Sequence, residues 1–398
     1  MDSSTIASDY PRRLLLGPGP SNAHPRVLAA LARPLLGHLD PLFVELMEET
    51  KSLLRTVFAT ANALTFPISG TGSAGMEACL VNLLEEGDEA VIAVNGEFGR
   101  RMTDIVERAG ATVVAVEVPW GRPVLPDDVK SGLARATRPK LVAVVHAETS
   151  TGASSPIAEI APVVRDSGAL FVVDSVTSLA GMPVRVDEWG IDACYSGTQK
   201  CLSCPPGLSP VTFSPRALES IRGRKSKVRS WYLDVTMIER YWGAERVYHH
   251  TAPISMNFAL AEALRMVVEE GLDARFARHR ANHRALAAGL EALGFGFVVD
   301  APYRLPMLNA VTLPAGVEEA PLRRRLLDDF SIEVGGGLGP FRGKIWRIGL
   351  MGESCRAANV LALLGALEDM LPAAGASVEP GRAIAAAEAA YGTVAGRE

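Results

Sequence analysis

No apolar run in the chain approaches the roughly 20 residues a membrane-spanning helix needs. Residues 1–13 hold no apolar stretch of the signal-peptide type, and the last residues, Ala-Gly-Arg-Glu, form no peroxisomal address. Cysteine is scarce: Cys79, Cys194, Cys201, Cys204 and Cys355 are an odd, scattered set, the pattern of reduced thiols rather than a secreted disulfide framework. The seven histidines show no ligand spacing, so no metal is expected. An excess of either charge is missing too. With 40 Lys+Arg against 45 Asp+Glu there is no global cationic field, which argues against nucleic-acid or membrane-surface partners. Together these absences lead to the expectation of a cytoplasmic globular protein.

What is present is apolar mass: 48% of 398 residues are hydrophobic, enough for more than one core. The stretch Arg13–Pro20, RLLLGPGP, reads as an extended arm entering a turn. Residues 41–58 carry apolar positions at helical spacing behind Pro41 at a first turn. Short, uniformly apolar runs then alternate with helical segments: ALTFPIS, EAVIAV, TVVAVEV, KLVAVV, ALFVVDS, DACYSG and LSPVTFS. Strands apolar on both faces belong to a mostly parallel sheet sandwiched by helices, an α/β fold. A helix from about Ser255 to Gly271 closes this unit, and past Phe276 a long helix, shorter strands and further helices read as a smaller α+β domain. The expected division is an arm over 1–20, a large domain over 21–275 and a small one over 276–398. The tail after Val378 reads as a peripheral helix without chemistry.

Gly70, Gly72 and Gly75 spell G-T-G-S-A-G between a strand and a helix. That spacing admits a plain tight turn, a dinucleotide-binding turn, or a cup in which Thr71, Gly72 and Ser73 hold one phosphate at a helix N-terminus. The next strand ends in Asn95-Gly96, with no acid to hold a ribose. Three further features follow along the sheet. Thr149 in HAETSTG follows KLVAVV, Asp174 ends the apolar strand FVVD, and Lys200 in SGTQK follows another short strand. Ligands of open α/β sheets bind at the carboxyl ends of the strands, so these residues converge on one crevice. A buried acid needs a cationic or protonated partner, and a lysine there is pushed toward its neutral, nucleophilic form. A phosphate cup, a buried carboxylate and a lysine are the three handles of pyridoxal phosphate.

The motifs LLGPGP, LLGHLDP, SGTGSAGMEA, HAETSTG, VDSVTSLAG, YSGTQKCLSCPPG, YHHT, GGGLG and KIWRIG resemble those of fold-type I, class V PLP-dependent aminotransferases, the alanine–glyoxylate and serine–glyoxylate (serine–pyruvate) group. The resemblance runs from Leu15 to Gly352, most of the chain. It implies pyridoxal 5'-phosphate as cofactor, Lys200 as the Schiff-base lysine and proton shuttle, and Asp174 paired with the pyridine nitrogen. Thr149 would bond the phenolic oxygen, Gln199 the phosphate, and Thr71, Gly72 and Ser73 would form the cup. Phe98 would stack on the ring, where some relatives carry Trp. Tyr248 and Thr251 would reach the phosphate from the neighbouring subunit of a homodimer, and Gly37 and His38 would cross the same interface. Arg347 would grip the substrate carboxylate, a task for a guanidinium fork.

The implied activity is ping-pong transfer of the amino group of alanine or serine to glyoxylate. Aspartate–glyoxylate, ureidoglycine–glyoxylate, 2-aminoethylphosphonate–pyruvate and pyridoxamine–pyruvate exchanges are the alternatives within the same chemistry, and an NAD-dependent oxidoreductase built on Gly70–Gly75 is the remote one. A cysteine desulfurase is disfavoured because VGGGLGPFRG, ahead of Arg347, holds no cysteine. Cys201 and Cys204 are expected to be packed thiols. The basic run Arg222–Arg229 reads as a solvated loop or, alternatively, as an electropositive rim for anionic substrates.

Overall fold

The computed structural model describes residues 10–395. Residues 1–9 of the expected arm and the final three residues, on which the two targeting expectations partly rest, lie outside the described residues. A seven-stranded sheet forms the centre, in spatial order Leu64–Ser69, Leu208–Phe213, Ala193–Tyr195, Leu170–Asp174, Pro139–Val145, Glu89–Val94 and Thr112–Glu117. All neighbouring pairs are parallel except those made by Leu208–Phe213, which runs against both of its neighbours. Helices cover both faces, so the strands alternate between two cores. Val91, Val142, Phe171 and Val173 enter one, and Ile92, Leu141, Val172 and Tyr195 the other. This double burial explains why the strand sequences carry no polar alternation. Pro67 lies on the sheet-edge strand, where its missing N–H costs no ladder bond on the open side.

The helix Pro41–Phe58 begins as expected, with Pro41 in the first turn and the Asp40 carboxylate accepting from the Leu42 N–H at 2.9 Å. The next helical pair departs from the expected boundaries. Ile254–Glu270 ends at Gly271, and the long helix starts at once at Leu272 rather than near Phe276. A second, antiparallel sheet orders Gly296–Phe297, Leu308–Thr312, Ile345–Gly349 and Gly335–Gly336 over a third core containing Trp346, Leu290 and Leu367. The arm joins this region: Leu14–Leu15 pairs in parallel with Ile332–Glu333, and the buried Leu16 side chain enters the third core. The C-terminal helix Arg382–Ala395 lies at the periphery, yet Ala383 and Ala387 are fully buried because small side chains let it approach the helix Leu272–Ala292 closely.

A buried cluster fastens the two regions together. Arg275 donates to Ala180 O at 3.0 Å and to Cys201 O at 2.5 Å, and Arg278 donates to Gly352 O at 2.9 Å and Cys355 O at 2.5 Å. Both arginines pair with Glu270. His279, fully buried, accepts from the Gly352 N–H at 3.1 Å through Nε2, which leaves Nδ1 to donate to Arg275 O at 2.8 Å. Burial, helped by Arg275, pulls its pKa down to about 3, and burial pulls that of His146 down to about 4. Both imidazoles stay neutral in the folded chain, whereas the unfolded chain takes up their protons below about 6.5. Their stabilising effect is therefore complete above pH 6.5 and is lost as pH falls toward 4, by roughly 3 kcal/mol each. Urea unfolding midpoints should fall from pH 7 to pH 5, less steeply in His279→Gln than in wild type. Equal slopes would mean that His279 is not held neutral.

Among the described residues no helix is long and apolar enough to cross a membrane, and no three His, Cys, Asp or Glu gather as a metal site.

Candidate active site

The strand Leu64–Ser69 ends in a turn at Gly70, whose φ of +146° suits only glycine, and the helix Gly72–Leu83 starts directly after it. Its capping residue Thr71 makes no side-chain cap bond, so the first N–H groups face outward, as an anion cradle requires. Ser73 Oγ accepts from Arg101 at 3.1 Å, and the Arg101 guanidinium also lies 5.0 Å from the Phe98 ring. Arg101 is a cation on the rim of the cup that the sequence reading missed.

Asp174 closes its strand almost fully buried. One carboxylate oxygen accepts from the Val176 N–H at 2.8 Å, the other from the Tyr195 hydroxyl at 2.9 Å. Burial pushes its pKa up to about 7 despite these bonds. A protonated ring nitrogen beside it would restore its charge.

Lys200 is also buried, and burial first, then the nearby Arg347 charge, brings its pKa down to about 8. The arm supplies its surroundings. Nζ donates to Pro18 O, Ser21 Oγ donates to Lys200 O at 2.9 Å, and Gly19 presses so close that a Cβ there would stand 2.5 Å from Nζ. Gln199 is partly buried, with Oε1 unpartnered.

Arg347 sits mid-strand in the small sheet, between Ala310 and Gly335. It is 8% exposed, its Nε donates to Gly336 O at 2.8 Å, and its Nη1 donates to Thr149 O at 3.3 Å. No carboxylate lies within ion-pair distance of it among the described residues. Burial lowers its pKa, and Glu148 opposes that. A buried cation without a counter-ion is costly unless a ligand brings one. Thr149 is buried as well.

The cup, Phe98, Thr149, Asp174, Gln199 and Lys200 thus come from strand ends, turns and first helical turns around the large sheet, and Arg347 reaches Thr149 O from mid-strand in the small sheet. Tyr248, Thr251, Gly37 and His38 lie elsewhere. Tyr248 Oη is 3.3 Å from Thr251 Oγ1, its ring centroid is 5.0 Å from that of His38, and Tyr241 donates to His38 O at 2.9 Å. Gly37 O accepts from the Asp40 N–H at 3.0 Å. These contacts run among themselves, and none reaches Lys200 or Asp174 of the same chain.

Cys201 and Cys204 are free and buried, their pKa values raised to about 11 and 12 by burial, as packed thiols should be. The basic run is not a rim of this site. Arg224 donates to Val81 O, Asn82 O and Leu84 O, while Arg222 and Arg229 pair with Glu239 and Glu86. It caps the far end of the helix whose N-terminus forms the cup, about 18 Å away at 1.5 Å per residue.

The family model for class V aminotransferases matches residues 18–338. The chain belongs to the class V aminotransferase family. Ureidoglycine–glyoxylate aminotransferase of Bacillus subtilis is 42% identical and superimposes with a TM-score of 0.94, over 97% of this chain and 100% of that one. Alanine–glyoxylate aminotransferase of Nostoc sp. is 49% identical with a TM-score of 0.90, over 92% and 97%. The alanine–glyoxylate aminotransferase of Mus musculus is 40% identical over 91% of this chain and 88% of its own. This class V aminotransferase is therefore a PLP-dependent enzyme with the fold-type I architecture. The residues present fit the cofactor. An uncapped helix N-terminus suits its phosphate, a buried carboxylate its ring nitrogen, and a buried lysine of lowered pKa its aldehyde.

Proposed function

We propose that this aminotransferase moves the amino group of a small amino acid, alanine or serine, to glyoxylate, yielding glycine and a 2-oxo acid in two half-reactions. The observation that carries this reading is Arg347, a buried guanidinium whose charge is felt at Lys200 and which has no carboxylate within ion-pair distance among the described residues. A 2-oxo or 2-amino acid brings that carboxylate, and a single strong clamp favours monocarboxylic substrates. Glyoxylate as acceptor is common to the names of the relatives above.

Pyridoxal phosphate, when bound, supplies an electron sink for negative charge at the substrate Cα. Lys200 would hold it and, once displaced by the substrate amine, carry the proton from Cα. Asp174, in its ionised form, would keep the ring nitrogen protonated. The first N–H groups after Thr71, together with Gly72, Ser73 and Gln199, would bind the phosphate; Phe98 would cover one face of the ring, and Thr149 Oγ1 would donate to the phenolic oxygen. Arg347 would orient the substrate by its carboxylate.

We further propose a homodimer in which Tyr248, Thr251, Gly37 and His38 complete the neighbour's site. Exposed Leu35, Leu39 and Leu42 flank Gly37 and His38 in sequence, and exposed Trp231 and Tyr232 pack on His249 and His250 between Tyr248 and Thr251, apolar surface that a partner subunit would cover. Five buried, unpaired thiols support a reducing, cytoplasmic setting.

A second reading has ureidoglycine as donor, favoured by likeness to the Bacillus subtilis enzyme over nearly the whole of both chains. Single half-reactions with alanine, serine, aspartate, glutamate and ureidoglycine, followed by glyoxylate or pyruvate, test both readings. Alanine and serine should bleach the yellow cofactor band, and glyoxylate should restore it. Bleaching by ureidoglycine alone would replace the first reading with the second.

A further inference from the structure

Glu148 is a buried carboxylate one residue before Thr149, with no part in the roles proposed for the site residues. One of its oxygens accepts from the Ser150 N–H at 3.0 Å and from the Ser150 hydroxyl at 2.6 Å. The other accepts from the Phe98 N–H at 3.2 Å, in the first turn of the helix Glu97–Arg108. Ser150 Oγ in turn accepts from the Glu97 N–H at 3.0 Å. That helix has Gly96 at its cap and no side-chain cap of its own, so Glu148 does the capping from another strand's end. Gly96 makes the room. A Cβ there would lie 2.4 Å from the Glu148 carboxylate carbon and 2.5 Å from Ser150 Oγ.

The same residue shapes the turn that follows it. Glu148 O accepts from the Gly152 N–H at 2.8 Å, and within that turn Thr149 O receives Arg347 Nη1. Burial pushes its pKa up while the Ser150 and Phe98 donors pull it down, and in its ionised form its charge is felt by both site cations, Lys200 and Arg347, and by Asp174.

We propose that Glu148 is a positioning residue for transamination: by bonding both the Phe98 backbone and the Ser150 turn, it fixes the ring-covering Phe98 and the hydroxyl of Thr149 relative to each other. The proposal rests on the reading that Phe98 and Thr149 face the cofactor. A carboxylate suits the position because every neighbour is a donor, and a helix N-terminus favours negative charge. A carboxamide of the same size would turn an N–H₂ toward one of these donors and loosen the pair. Misplacement of this order costs up to about 100-fold in rate when reacting groups must align.

The test compares holoenzyme of wild type and Glu148→Gln. Both should be trapped by borohydride at Lys200. In Glu148→Gln the visible circular dichroism of the bound cofactor, which reports how the ring is held, should fall at least about twofold. The alanine half-reaction rate constant should fall about 10- to 100-fold with KM changed less than about threefold. The pH at which the visible band titrates should move down, because a cation loses a negative neighbour.

Ser150→Ala, which removes two of the bonds and leaves the carboxylate, should show the losses of dichroism and rate in smaller measure without the downward titration, and it serves if Glu148→Gln does not fold. Wild-type dichroism and rate in the variants would overturn the proposal. So would a loss of rate that follows lowered thermal stability alone, with dichroism and titration unmoved. Wild-type protein that traps no cofactor at Lys200 would overturn the site reading itself.

Discussion

Replacing Lys200 with alanine should abolish borohydride trapping of the cofactor and lower the alanine–glyoxylate turnover by about 1,000-fold or more, the range expected for removing a general acid–base. Lys200 is 8% exposed, and its pKa falls from 10.5 to about 8 because water is excluded and Arg347 is near. At pH 7.5 roughly a quarter of such amines are neutral, against about one in a thousand for an unperturbed lysine. Neutral amine is what a covalent link to an aldehyde needs, and also what accepts a proton. Cofactor should still bind to Lys200→Ala, because the helix N-terminus at Thr71–Ser73 and the Asp174 carboxylate are untouched. A small exogenous amine should restore part of the half-reaction by standing in for the missing base. Unchanged turnover in Lys200→Ala, or trapping at another lysine, would sink the assignment.

Much of this site was legible because parallel strands sandwiched by helices write themselves as apolar runs and deliver their terminal residues to one edge. Thr149, Asp174 and Lys200 follow or end such runs, and Arg347 links them: it bonds Thr149 O, and its charge and that of Asp174 are felt at Lys200. The direction of Leu208–Phe213 was not legible. A strand buried on both faces carries the same composition whichever way it runs, and only the short connection from Lys200 turns it back. The end of one helix at Gly271 was legible, but the start of the next at Leu272 was not, since the same glycine both ends one helix and precedes the other.

Tyr195, Glu148, Arg101 and the Pro18–Ser21 arm were missed for a different reason. Each acts through a contact distant in sequence: Tyr195 with Asp174, Glu148 with Phe98, Arg101 with Ser73 and Ser21 with Lys200. Glu148 and Tyr195 did lie inside motifs read for their neighbours, HAETSTG and YSGTQK. Their signal was present as an acid or phenol in an apolar setting, which implies a buried partner but does not name it. The basic run shows the converse. Seen alone it suggested a field for anions, whereas Arg224 is occupied with the carbonyls that end a helix.

Arg347→Lys should raise the KM for alanine and for glyoxylate about 10- to 100-fold while leaving cofactor trapping at Lys200 intact. Lysine keeps the charge but not the fork. The guanidinium is held by two carbonyls, Gly336 O on Nε and Thr149 O on Nη1, which aims its remaining N–H groups at a ligand. An ammonium in the same space has neither the reach nor the planar pair of donors, so at least one charge-assisted hydrogen bond to the substrate carboxylate is lost, at about 1.5–3 kcal/mol. A simple amine without a carboxylate provides the internal control. Its slow half-reaction should be the same in wild type and Arg347→Lys, because nothing in it meets the guanidinium. An equal fall for alanine and for the simple amine would instead assign Arg347 to the fold, through the Thr149 and Gly336 carbonyls, rather than to the substrate. The expected divergence between the two amines identifies the ligand of the buried charge as the carboxylate, and with it the class of acids this enzyme exchanges.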